Sequence, residues 1–392
     1  MLNPSDDAFL EDLERRAFRL FWESAHADTG LIPDRARADG SKPGGMASVA
    51  AVGFGLTALA IGAERCWESR ADAQTRVNQT LRTLRDRVPH EHGFWYHFID
   101  AATCERAWNC EASSIDTALG LFGALSAGRY FGGETAALAQ ELYDRVDWPW
   151  MTNEEGLICH GWTPEKGFFP WSWNQFSEHW GMTRLAMASP THPLPASAWT
   201  AWKRMPWVTY AGRRFLHHPP LFVHQFPQAW LDWRGFADSV TGVDFFENAR
   251  EATLAQRQFC IDLRGHYPGY DENVWGLTSS DGAAGYMDWG GPPVNGQGIG
   301  AADTRIDGTV VPCAAAGSLP FAPEECLAAL RTMHARFGET VYGPYGFADA
   351  FNPVTGWVGT DVIGIDQGIT LLMAENLRTG FVWKLMEPWR PQ

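Results

Sequence analysis

Apolar and polar positions alternate along this chain in blocks, and each block has a helical period. Residues 7–26 carry Phe9, Leu13, Phe18, Leu20 and Phe21 broadly on one side and charges on the other, the pattern of an amphipathic surface helix. Residues 46–64 are apolar nearly all round and rich in Ala and Gly, which predicts a helix buried on every side and close to its neighbours. The amphipathic pattern returns at 69–88, 134–146, 195–203, 244–260 and 323–337. The apolar pattern returns between these, at 113–131, 174–188, 221–234 (interrupted by Pro227), 309–319 and 366–379. Stop and start signals agree: Ser189-Pro190 ends the 174–188 run, Pro323 opens the next-to-last helix and Gly380 closes the last.

Six alternations of surface-facing and buried helices predict an all-α fold in which helical hairpins close into a ring, an (α/α)6 toroid. The rival is an irregular two-domain helical protein, but no linker divides the chain, so residues 1–392 read as a single domain. Long loops join the predicted inner helices at 92–100, 161–173, 267–293 and 342–361, and loops of that length usually carry function. They hold much of the Trp, Tyr, Gly and Asp.

Composition sharpens this picture. Of 392 residues, 20 are Trp, 23 Phe and 9 Tyr. Indole is a costly filler because its N–H needs a partner when buried, so the excess suggests a cleft with a long aromatic lining. A large aromatic core would account for part of the same excess. The formal net charge of -15 makes nucleic acid and anionic membrane poor partners and leaves a neutral polymer open. No apolar run is long enough to span a bilayer, and the N-terminus lacks the basic and apolar regions of a signal peptide, so the chain reads as soluble and cytoplasmic; a periplasmic or secreted location would follow if a signal had been removed. Seven Cys form no CxxC; Cys104 and Cys110 are spaced for a loop disulfide.

The most suggestive stretch is 162–195. Glu178 lies there among Trp162, Trp171, Trp173, Phe176 and Trp180. A surface Glu beside a packed aromatic cluster is the plain reading. The sharper one is a sugar cleft, where aromatic faces stack on pyranose rings and apolar walls raise a carboxyl pKa until it can donate a proton near neutral pH. Glycoside cleavage needs a second carboxyl to activate water. Asp349, bracketed by Phe347 and Phe351, is a candidate, as is Asp366 at the start of the last buried helix; a turn-forming Asp and a helix N-cap are their plain readings. Asp116, polar within an apolar helix, must find a partner or face a cavity. Candidate sugar contacts are Trp162, Trp173, Trp180, His224, Gln225, Trp230, Glu272, Asn273, Trp275, Tyr286, Trp289, Phe351 and Trp357. Glu375 with Arg378 and Asp232 with Arg234 read as structural ion pairs. His90-Glu91-His92 and His217-His218 lack metal-ligand spacing, and no phosphate loop, GxSxG elbow or dinucleotide fingerprint occurs, so no metal or cofactor is expected.

Several phrases carry a family resemblance: GFGLTALAIGAER (53–65), SPTHP (189–193), LFVHQFPQAWLDWRG (221–235), YDENVWGLTSSDG (270–282), YGPYGFADAFN (342–352) and IDQG…ENLRTGFVWK (365–384). In this order they resemble the glycoamylase-like family, which is similar to glycoside hydrolase family 144 and related β-1,2-glucanases. The resemblance implies an (α/α)6 fold, no metal in the mechanism, and inverting hydrolysis of β-1,2-linked glucose polymers. It implies Glu178 as general acid, with the base or its support at Asp349 or Asp366. The family's Asp-x-x-Glu pair on an inner helix reads Ser113-x-x-Asp116 here. Rival expectations are transglycosylation or exo-acting release of sophorose on the same scaffold, a sugar isomerase or epimerase, which would favour paired cavity histidines where these appear scattered, and a glycan-binding protein with weakened catalysis.

Overall fold

The computed structural model describes residues 2–41, 44–293 and 305–390. Among the described residues, twelve helices alternate as outer and inner members of a ring, at the positions predicted from periodicity. The outer members are α1 (Pro4–Ser24), α3 (Arg70–Asp86), α5 (Gly133–Asp144), α7 (Ser197–Ala201), α9 (Phe245–Asp262) and α11 (Pro323–Phe337). The inner members are α2 (Val49–Glu64), α4 (Ser114–Phe131), α6 (Trp180–Met187), α8 (Phe222–Trp230), α10 (Pro312–Ala316) and α12 (Gly364–Arg378), and a short α13 (Phe381–Leu385) follows. The fold is an (α/α)6 toroid.

Packing explains why the inner helices are so poor in charge. α2 is buried from Val49 to Ala63, and α4 is buried over almost its whole length. They meet backbone to backbone: a Cβ on Gly123 would come within 2.0 Å of the Gly53 carbonyl oxygen. Around the ring α2 packs on α4, α4 on α6, α6 on α8, α10 on α12, and α12 on α2 again. The gap between α8 and α10 is bridged by Gln225, whose Nε2 donates to Ala314 O and Ser318 Oγ, each at 2.8 Å. The middle of the ring is filled, not hollow. Trp230 stacks on Phe122 with centroids 5.5 Å apart, tilts against Phe54, and donates its indole N–H to Thr57 Oγ1, which in turn meets Ser126 Oγ.

The outer ring is sealed where α1 lies on α12. There Arg378 and Arg65 neutralise Glu14, which is fully buried, together with Glu375. Short antiparallel strands stand directly ahead of three inner helices: Met46–Ser48 before α2, Ala112–Ser113 before α4 and Asp361–Ile363 before α12. They pin the long loops to the N-terminal ends of the inner helices.

Two helix boundaries and one disulfide differ from expectation. The run 174–188 is helical only over Trp180–Met187, because residues 174–176 pair with 203–205 instead, through Lys203 N–H to Asn174 O at 2.9 Å and Phe176 N–H to Met205 O at 3.3 Å. The run 309–319 yields only the five residues of α10, the rest being turns. Cys104 and Cys110 are free thiols rather than a disulfide; Cys110 Sγ is engaged by the Phe98 amide at 3.2 Å.

Candidate active site

Inner-helix N-termini converge on one end of the toroid, and the candidate carboxyls are carried there. Glu178 stands just ahead of α6, Asp116 in the first turn of α4 and Asp366 in the first turn of α12. A cavity of about 350 Å³ opens at this end, walled by His160, Trp173, Glu178, His218, Phe222 and Asp288 among others. The partial positive charge of helix N-termini favours clustered acids at such a place.

Glu178 sits in the turn between the pairing of 174–176 and the start of α6, not on the helix. Its Oε2 accepts from Ser177 Oγ. Burial pushes its carboxyl up to about 7, against the Ser177 hydrogen bond, and the charges of Asp116 and Asp288 add to the effect. Trp173, which the sequence placed beside it, lines the cavity and stacks flat on His160 with ring centroids 3.8 Å apart; its indole N–H is fixed by Ser114 Oγ at 3.0 Å. Burial lowers the His160 ring to about 4, so it is neutral at physiological pH.

Asp116 is gripped on two sides. Ser113 caps α4 and its Oγ donates to Asp116 Oδ2 at 2.5 Å, while His97 Nε2 lies 3.6 Å from Asp116 Oδ1. The other ring nitrogen of His97 is 3.1 Å from Glu111. Burial would lower the His97 pKa, but Asp116 and Glu111 overcome it and raise it to about 9. His97, Glu111 and Asp116 bring one ligand atom each within 4.8 Å of one another, a spacing that could hold a cation. The imidazolium already supplies a positive charge at that point.

Asp349 and Asp366 form a dyad. Both are almost fully buried, and each stands close enough to the other to perturb its ionisation. Asp349 Oδ2 accepts the Asp281 amide at 2.6 Å, and the Cys313 thiol at the start of α10 is near enough to Asp366 to favour its charged form. Burial and the Asp366 charge raise Asp349 well above the carboxylate range; burial raises Asp366 to about 6. Asp366 is not the N-cap of α12, a position taken by Ile363. Tyr286, on the strand Gly285–Asp288, is half exposed, and its phenol is raised by partial burial and by the charges of Asp366, Asp349 and Asp288.

Several aromatic and polar candidates lie elsewhere. Trp180, Trp230 and Trp275 are fully buried core residues; Trp180 packs edge-on against Trp233. His224 is buried and neutral, within 3.5 Å of His217 and of Asn248, and Gln225 is the α8–α10 bridge. Trp289 is buried with its indole N–H on Ser280 Oγ, and Phe351 packs on Phe337. Glu272 is an exposed partner of Arg264, and Asn273 lies in a turn tied to Asp271. Trp162 packs on Trp150, and Trp357 is half-buried. Trp230 and Trp289 give their indole N–H to core hydroxyls and Gln225 its amide to a carbonyl, whereas Trp180 and Trp275 are held by packing alone, their buried indole N–H groups making no hydrogen bond among the described residues. Conversely, the cavity uses His160 and Asp288, which the sequence did not single out, and His218, set aside there as one of a pair without metal-ligand spacing. His160 and His218 share one wall set, so the histidines are less scattered than their spacing suggested. The local signal was position: Asp288 lies within the 267–293 loop and His160 immediately precedes the 161–173 loop.

A helical ring with buried carboxyls and stacked aromatics at its inner-helix N-termini has the makings of a carbohydrate-active toroid. The comparisons define it further. Residues 170–389 match the glycoamylase family model, described as putative glucoamylase, and the chain belongs to this family. It is 27% identical, over 97% of its length, to an exo β-1,2-glucooligosaccharide sophorohydrolase acting at the non-reducing end, from Parabacteroides distasonis. The chain spans only 56% of that relative's length. The endo-β-1,2-glucanase of Chitinophaga pinensis, solved with sophorotriose and glucose, superposes with a TM-score of 0.89 at 27% identity, covering 98% of this chain and 95% of the other. A β-1,2-glucanase structure from P. distasonis gives a TM-score of 0.87 at 25% identity, covering 97% of this chain and 58% of the other. Among the described residues, no helix is long and apolar enough to cross a membrane.

Proposed function

We propose that this chain, read as one catalytic unit over 1–392, hydrolyses β-1,2-linked glucan or its oligosaccharides by general acid/base catalysis. The observation that carries the reading is Glu178: a cavity-lining carboxyl whose burial holds it near pH 7, between an aromatic wall and further acids. A group poised there is protonated often enough to donate to a leaving sugar oxygen. The substrate follows from the similarity to β-1,2-glucan enzymes over nearly the whole chain.

In this reading the Asp349–Asp366 dyad is the base. Burial favours the protonated form of Asp349, which leaves Asp366 as the carboxylate able to take a proton from water. Asp288 and Asp116 hold sugar hydroxyls. An inverting outcome calls for acid and base about 6.5–9.5 Å apart with a water between them; a retaining enzyme would bring them to about 5–5.5 Å. Replacing Asp349 or Asp366 by Asn should lower kcat by about 10²–10⁴, whereas Asp288→Asn should act mainly on KM. The reverse split would move the base to Asp288.

The deciding experiment is product analysis on a panel of linkage-defined β-glucans, with the product anomer followed by NMR and acceptor sugars added in one arm. Release of short β-1,2-linked products with inverted configuration is expected, and their length separates endo from exo attack. Turnover of monosaccharides with no cleavage of any polymer would replace hydrolysis with isomerisation.

A further inference from the structure

A second cavity adjoins the first. It measures about 230 Å³ and is walled by Asn153, Phe168, Phe169, Trp171 and Ser172, the last of which also walls the Glu178 cavity. Its aromatic groups are unusual for this chain. Among the large apolar side chains most are buried, yet Trp171 is 55% exposed and Phe168 43% exposed. Exposed aromatics grouped beside a cleft mark a binding surface more often than a core defect.

The cluster is rigidly mounted. Phe168 packs on Trp150 at 4.9 Å, Trp150 stacks flat against His92 at 4.3 Å, and Phe169 leans on Trp171 at 5.4 Å. The backbone beneath is pinned by pairing of Ser172 with Cys159 and by the Trp173 amide on Ile158 O at 2.9 Å. Polar groups edge the aromatic surface: Asn153 Nδ2 reaches Ser172 Oγ at 3.4 Å. A flat apolar face rimmed by amide and hydroxyl groups matches a pyranose, which has an apolar face and a hydroxyl edge. A charged ligand finds no counter-charge in this lining.

We infer that Trp171 and its cavity form an additional glucosyl subsite, which holds the part of a β-linked glucan chain that extends beyond the scissile bond at Glu178. The inference rests on the proposed hydrolase reading for the position of that bond. Ser172 lines both spaces, so they are neighbours, and a saccharide chain that occupies both would pass over it. The subsite adds affinity only for chains long enough to reach it, and it therefore sets a preference for length.

The test uses the full chain with Trp171→Ala and Trp171→Phe, on β-1,2-glucan and on the shortest oligosaccharide the wild type cleaves. For Trp171→Ala, a KM about tenfold higher on the polymer is expected from loss of one stacked ring, with kcat/KM on the short substrate changed less than twofold. Trp171→Phe should recover most of the polymer affinity. Equal losses on both lengths, or none on either, overturn the subsite. Binding keeps this separate from the hydrolase reading. Titration of Glu178→Gln with the same two saccharides should show tighter binding of the longer one, lost in Glu178→Gln/Trp171→Ala. A length-dependent affinity that survives the double substitution also overturns the subsite, even if the wild type proves to cleave no glucan.

Discussion

Glu178 concentrates the residue-scale argument. Its ordinary carboxyl pKa would be 4.5, and burial raises it to about 7. Below pH 4.5 the group is neutral folded or unfolded and costs nothing. Between about 4.5 and 7 the unfolded chain ionises freely while the folded one resists, so the native state loses stability as pH rises through this window. Gln at this position does not titrate. Glu178→Gln should therefore gain thermal stability over wild type at pH 8 and show little gain at pH 4, while turnover falls to background at every pH. An equal Tm difference at both pH values would mean that Glu178 is not strained by its surroundings. In wild type the acid-dependent limb of kcat/KM should decline above about pH 7.

This residue was legible because five aromatic side chains crowd one acid within a short stretch. Trp230, Trp275 and Gln225 were not legible in the same way. Their composition suits a cleft and a core equally, and only three-dimensional partners, such as Thr57 Oγ1 for Trp230 and Ala314 O for Gln225, decide between them. Asp288 was missed, and His218 set aside, for the complementary reason: nothing in their flanking sequence distinguishes a cavity wall from a turn.

At the scale of elements, periodicity located all twelve ring helices, since burial on every side and burial on one side leave different patterns. It could not locate the start of α6, because the pairing of 174–176 with 203–205 is a long-range choice that overrides helical propensity. The contact of α2 with α4 shows what the small residues in the buried runs were for. Gly53 and Gly123 let the two backbones touch, and any Cβ there would strike main chain that cannot swing aside. Gly123→Ala should destabilise the protein by roughly 1–3 kcal/mol, the usual range for overpacking, measured as a lower urea midpoint. Because Asp116 and its Ser113 cap ride on the N-terminus of α4, the same substitution should also raise KM. A stable variant with unchanged kinetics would show that α4 can shift without disturbing the cavity.

At the scale of the whole molecule, the ring closes through the contact of its first outer helix with its last inner one. Arg378 and Arg65 tie α12 and α2 to Glu14 of α1, and Glu14, buried with its carboxyl raised by burial and by Glu375, depends on both. Removing Arg378 leaves Glu14 with only the longer 3.9 Å contact to Arg65, and breaking a buried pair typically costs about 3–5 kcal/mol. Arg378→Met should therefore lower the unfolding midpoint far more than the loss of an exposed pair such as Arg82–Glu134. A surface-like cost would show that the seam carries little of the closure.

That seam also decides which fragments can live apart. The stretch matched by the family model, residues 170–389, contributes α6 to α13, but the partners that cover α12, namely α1 and α2, lie in the other half. Cut near residue 170, each piece would present a broad greasy wall to water and should precipitate when expressed alone. Co-expressed, the two should find one another and restore activity by complementation, as the arcs of a circle do only when both are present.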